Sequence, residues 1–136
     1  MNKSINLTIA KPKLPVLLQV SATIIIVMGI VGFLFFAGAS IYQYYNPQFL
    51  DDLSNNNNLL IPLNFYIIIQ VLLHAILIVS GFLIFKLKKI GFYLFISVFL
   101  IMLASEVFLE NKLILSYIIV GLILAFILMR YYRRFV

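Results

Sequence analysis

Few side chains in this 136-residue sequence could do chemistry, and the pair that stands out is Gln70 and His74. They lie four positions apart, so both would occupy one face of a helix. Histidine can relay protons or ligate a metal near neutral pH. His74 is the single histidine, however, and the chain contains no cysteine, which excludes disulfides and cysteine-based or multi-histidine metal sites. We therefore expect no catalytic residue, no cofactor and no metal.

His74 then has three possible roles. In the simplest, a neutral imidazole hydrogen-bonds Gln70, a serine or a backbone carbonyl and fixes helix packing. In the second, His74 contacts a partner subunit. In the third, Gln70 and His74 relay a proton or a substrate, because an ionisable residue inside a membrane span is a functional candidate.

Acidic side chains form the second candidate cluster. Glu106 and Glu110 are also four positions apart, and with Asp51 and Asp52 they would form an acidic outer rim. A solvated helix end accounts for such a rim without any ligand. A cation site or a basic partner is the alternative.

The elements that must position these residues are long and apolar. Hydrophobic residues make up 65% of the chain and charged residues 10%, whereas a soluble domain contains about 25% charged residues. About 20 residues cross a bilayer as a helix, and four charge-poor runs are close to that length or longer. They predict spans over residues 14–42, 62–85, 90–109 and 113–129. The predicted fold is a single all-α integral membrane domain over residues 1–136, with four transmembrane helices in an antiparallel up-and-down bundle.

Charge distribution predicts the orientation of these spans. Nine of the ten basic residues fall on one side of the predicted membrane, and Lys112 and all four acids fall on the other. The nine are Lys3, Lys11 and Lys13 before the first span, Lys86, Lys88 and Lys89 between the second and third, and Arg130, Arg133 and Arg134 after the fourth. Basic flanks stay in the cytoplasm, so both termini are predicted to be cytoplasmic. The net charge of +6 then indicates contact with anionic lipid headgroups rather than with nucleic acid.

Small residues recur at spacings that suit close helix packing in a membrane. The first predicted helix has Ala22 and Gly29 seven apart, and Gly32 and Ala39 seven apart. The fourth has Gly121 and Ala125, and the third has Ser97 and Ala104. These positions serve packing either within the chain or against another membrane protein, and both uses remain open.

Two junctions, residues 11–15 (KPKLP) and 87–93 (LKKIGFY), resemble those of small bacterial four-helix inner-membrane proteins. The resemblance implies a multi-pass protein of the bacterial inner membrane and carries no mechanism. We expect a non-catalytic accessory or structural subunit of a larger inner-membrane complex, such as translocation, secretion or transport machinery, with other membrane-protein subunits as partners. The alternative is a small oligomeric transporter or channel with Gln70 and His74 lining the path. A lipid-interacting protein that uses the basic rim is a third option.

Overall fold

The computed structural model describes residues 14–48, 62–109 and 115–136. Four α-helices make up nearly all of these ranges, and no strand occurs in them. The helices are α1 (Val16–Tyr45), α2 (Leu63–Phe85), α3 (Lys89–Leu109) and α4 (Leu115–Arg130), followed by a 3₁₀ turn at Tyr132–Arg134. The all-helical prediction is confirmed for the described residues. By length and composition α1, α2 and α3 could each cross a membrane, whereas α4 is apolar but shorter.

Prolines mark the ends of the two longest helices. Pro15 and Pro62 precede α1 and α2, and their carbonyls accept hydrogen bonds from the N–H groups of the third and fourth residues of each helix. Proline suits this place because it has no N–H to satisfy and its φ is already helical. α1 ends at Tyr45, three residues beyond the predicted boundary, because Pro47 is the first residue that opposes its continuation.

Successive helices run antiparallel. Along α1 and α2, Ala22 lies near Gly81, Gly29 lies near Ile78, and Gly32 lies near His74. The α1–α2 interface is the most extensive in the structure, followed by α2–α3, and α4 makes smaller contacts with α1 and α3. The buried core joins all four helices. Its innermost large side chains are Leu18, Ile25, Ile84 and Leu128.

A tight turn links α2 to α3. The Lys88 N–H donates to the Leu83 carbonyl at 2.9 Å, and the Leu87 N–H donates to the Ile84 carbonyl at 2.9 Å. This is the Schellman pattern that closes a helix C-terminus. Leu87 adopts the left-handed conformation with φ 54°, a position where glycine is usual. Its half-buried side chain packs on the core, which gives a reason for leucine there.

Candidate functional site: an interhelical polar cluster

His74 lies at the middle of α2 with its ring turned towards α1. The side chain is buried, at 8% exposure, and the ring covers Gly32 of α1. A Cβ atom at Gly32 would overlap the imidazole, so the absence of a side chain at Gly32 creates the space that the ring fills. Phe36, one turn further along α1, flanks the ring with 5.3 Å between ring centroids.

The hydrogen bond of His74 is made within α2. Its Nδ1 lies 2.7 Å from the backbone carbonyl of Gln70. A carbonyl can only accept, so Nδ1 must carry the proton in this bond, and in a neutral ring Nε2 is left as an acceptor.

Gln70 turns its side chain the other way, towards α3. Its amide nitrogen donates to the Ser105 hydroxyl at 3.2 Å, and that hydroxyl donates to the Met102 carbonyl at 2.7 Å. Gln70 and Ser105 are both buried, at 3% and 7% exposure. The predicted pair is therefore not joined side chain to side chain. Instead, Gln70 connects α2 to α3 and His74 fills a notch on α1, so one face of α2 ties three helices together.

This polar cluster is surrounded by close packing. A neighbouring cavity between the four helices, lined by apolar side chains including Ile25, Leu77 and Leu124, has a volume of only about 10 Å³. That volume barely admits one water molecule. In the described ranges, no three His, Asp or Glu side chains come together as a metal site requires. The contacts of Gln70 and His74 therefore suit attachment between helices.

The structure describes one member of the predicted acidic rim. Glu106 is half-buried on α3, and one of its carboxylate oxygens is buried. It lies near enough to Tyr117 of α4 for an electrostatic interaction between the two groups. Asp51, Asp52 and Glu110 lie outside the described residues, so the rim as a unit stays a prediction.

Most of the predicted packing residues lie between helices, and two lie on the outside of the molecule. Ala22, Gly29 and Gly121 are buried, and Gly32, Ala39 and Ala125 are half-buried. Ala22, Gly29 and Gly32 face α2, whereas Gly121 of α4 receives the ring of Phe99 from α3. Ser97 and Ala104 are instead exposed on the outside of α3.

Six of the basic residues collect at one end of the molecule, and all six are exposed. They are Lys86, Lys88 and Lys89 at the α2–α3 turn and Arg130, Arg133 and Arg134 at the end of α4. Lys11 and Lys13 lie outside the described residues. Two backbone hydrogen bonds hold the two segments together. The Val136 N–H donates to the Leu87 carbonyl at 2.7 Å, and the Lys89 N–H donates to the Val136 carbonyl at 3.1 Å.

Sequence reasoning missed Ser105, Phe36 and the link between Tyr117 and Met102. The Tyr117 hydroxyl lies 3.0 Å from the Met102 sulfur and connects α4 to α3. A serine within an apolar helix is a detectable signal for Ser105, since such hydroxyls often bond across helices in membranes. Nothing local marks Phe36 or Met102, because both are ordinary apolar residues in apolar helices.

Comparison of the chain with models of protein families, with curated proteins and with solved structures found no match.

Proposed function

We propose that this chain is a four-span protein of the bacterial inner membrane with both termini in the cytoplasm, acting as a non-catalytic accessory or structural subunit of a larger complex. The observation that carries the proposal is the use of its intramembrane polar groups. Gln70 and His74 are buried between helices, where one bonds Ser105 and the other covers Gly32. Polar groups used in this way stabilise helix packing.

The exposed small residues support attachment to another membrane protein. Ser97 and Ala104 are exposed on α3, and Gly38 on α1 has nothing within 4 Å of the position its Cβ would occupy. Small residues allow a second helix to approach closely, which is the main source of affinity between helices in lipid. These positions are therefore proposed as contact points for a neighbouring subunit.

The experiment is native purification of the tagged chain in mild detergent, followed by mass spectrometry. We expect another membrane protein to co-purify in a fixed ratio. Recovery of the chain only as a monomer or homo-oligomer would overturn the accessory-subunit proposal.

Site-specific cross-linking sharpens this test, because the chain has no native cysteine. Ser97→Cys on the exposed face of α3 should cross-link to the co-purifying partner. Leu122→Cys on α4, where the native leucine is 57% exposed and large, is the matched control and should cross-link much less.

The same cysteine-free chain tests the proposed topology. Lys88→Cys and Arg133→Cys should resist an impermeant maleimide in intact cells and react after permeabilisation. Glu110→Cys should react in intact cells. Labelling of Lys88→Cys from outside would contradict the proposed orientation.

A transporter or channel is the second candidate, and one observation favours it. His74 is an ionisable side chain at the middle of the long apolar helix α2, and ionisable residues in membrane spans commonly mark proton or substrate paths. In that case His74→Leu abolishes flux in liposomes while folding is preserved. An accessory subunit predicts no flux from the wild type, so the two proposals give opposite results.

A further inference from the structure

The end of the molecule at which α2, α3 and α4 meet carries a concentrated positive surface. We call this surface the basic platform, defined by Lys86, Lys88, Lys89, Arg130, Arg133 and Arg134. Among the described residues, the only acid is Glu106, which lies towards the opposite end of α3. The side chains of the platform therefore carry six positive charges, and no acidic side chain of the described residues lies beside them.

Tertiary structure, rather than sequence proximity, creates the platform. Three of its cations lie at the α2–α3 turn. The other three, which include the last residue of α4, come more than forty residues later. The two hydrogen bonds between Val136 and the α2–α3 turn hold these segments side by side. Phe135, at 3% exposure, adds an apolar anchor by packing near Phe92 with 6.3 Å between ring centroids.

The platform is also held in place by aromatic contacts. The hydroxyls of Tyr93 on α3 and Tyr132 in the C-terminal turn are hydrogen-bonded. The guanidinium of Arg134 lies 5.7 Å from the centre of the Tyr131 ring. Tyrosines of this kind favour the boundary between lipid and water, where phospholipid headgroups lie. The cations are thus held together at the depth of the phosphates.

We infer that the basic platform binds an anionic phospholipid that carries two phosphates, with one phosphate contacting the lysines of the α2–α3 turn and the other contacting the arginines after α4. Holding six cations together is unfavourable unless counter-charge is present. Arginine and lysine are the usual partners of phosphate oxygens, arginine through a planar fork and lysine as a compact charge. Two adjacent groups of three cations suit two linked phosphates better than one.

This inference rests on the proposed membrane location of the chain and is independent of its role as a subunit. The test reconstitutes the full chain into phosphatidylcholine nanodiscs that contain either a two-phosphate lipid (cardiolipin) or a one-phosphate lipid (phosphatidylglycerol) at equal total negative charge. Retained lipid is then counted by native mass spectrometry. We expect the two-phosphate lipid to be retained at least tenfold more strongly per unit of charge.

Variants of each segment assign the preference to the platform. Lys86→Gln with Lys88→Gln removes two charges from the turn, and Arg133→Gln with Arg134→Gln removes two from the C-terminal segment. Each charge near the surface is worth about fivefold in affinity, so either double variant should abolish most of the preference. Lys88→Arg should retain it. Lys112→Gln, which removes one charge from the predicted opposite side, is the control and should leave it unchanged.

The outcomes separate this inference from its premise. Stable reconstitution in phosphatidylcholine alone supports the membrane location. Failure to reconstitute overturns both the membrane location and the lipid-binding platform. Equal retention of the two anionic lipids at matched charge would overturn the platform as a two-phosphate site. If Lys112→Gln lost the lipid preference as much as the double variants do, that result would also overturn the platform as a two-phosphate site. Thermal stability of the detergent-solubilised chain is measured with inorganic pyrophosphate as well. Stabilisation by pyrophosphate as large as that by the two-phosphate lipid would overturn the lipid as the ligand.

Discussion

The α1–α2 interface and the α3–α4 interface are both built around glycine, but different groups occupy the space beside the two glycines. Beside Gly29 of α1 lies the backbone of α2. A Cβ at Gly29 would stand 2.7 Å from Cγ1 of the Ile78 side chain, 3.0 Å from the Ile78 nitrogen and 3.2 Å from the His74 carbonyl oxygen. Beside Gly121 of α4 lies a side chain, because the three atoms nearest to an added Cβ all belong to the ring of Phe99. At Gly29 two backbones approach each other, whereas at Gly121 a large ring fills the gap, as the His74 ring does at Gly32.

The difference has an energetic consequence. Backbone atoms of two packed helices cannot move independently, so crowding between them must separate the helices. A ring held by side-chain contacts can rotate or be replaced by a smaller residue. α1 and α2 therefore form the more rigid part of the molecule, and α4, with its smaller contacts, is expected to detach at lower free energy.

The largest expected effect comes from crowding the α1–α2 interface. Gly29→Ala places a methyl group against the α2 backbone and should destabilise the fold by about 3 kcal/mol, the upper end for overpacking. The change in the free energy of unfolding is measured in bicelles by steric trapping. Gly38→Ala is the matched control on the same helix, since nothing lies within 4 Å of its added methyl. We expect that control to be neutral or to stabilise the fold by up to about 1 kcal/mol, because alanine favours the helix over glycine. A neutral Gly29→Ala would refute the backbone contact.

An intermediate effect is expected at the α3–α4 interface. Gly121→Ala should cost about 1–2 kcal/mol because the methyl displaces the Phe99 ring. Phe99→Leu in the same chain should recover most of that loss, since a smaller side chain makes room for the methyl. On α2, Ile78→Ala should rescue Gly29→Ala only in part, because it removes the side-chain contact and leaves the two backbone contacts in place. If Phe99→Leu fails to rescue Gly121→Ala, the two interfaces do not differ as described.

The smallest effect is expected from the polar link between α2 and α3. A double-mutant cycle with Gln70→Leu and Ser105→Ala measures the coupling of the 3.2 Å hydrogen bond. Interhelical hydrogen bonds in membrane proteins couple by about 0.6 kcal/mol on average, so a value near this is expected. A coupling energy larger than the loss of stability caused by Gly29→Ala would mean that polar bonding, and not close packing, holds α2 in place.

Several features of the fold could be predicted from the sequence because they depend on local composition. The long apolar runs predict helices, and α2 and α3 begin and end within one residue of the predicted limits. The small residues of the first helix predict a packing seam, and Ala22, Gly29 and Gly32 do face another helix. What the spacing could not supply is the identity of that helix, since the same pattern serves contacts within a chain and between chains.

The candidate site shows the same division. The four-residue spacing placed Gln70 and His74 on one helix face, and that is where they lie. The spacing could not show that they point to different neighbours, Gln70 to Ser105 and His74 to Gly32. Those partners come from separate helices, and their positions depend on how all the helices pack.

The sequence by itself determined the helical class, the positions of the apolar helices and the segregation of basic from acidic residues, because hydropathy and charge act over a few neighbouring residues. Only the tertiary structure decided that Gly29 packs against the backbone of another helix and that Gly121 packs against an aromatic ring. It also brought the α2–α3 turn and the segment after α4 together through Leu87, Lys89 and Val136. These contacts join residues far apart in the chain, and such pairings depend on the complementary shapes of whole helices, which no local pattern encodes.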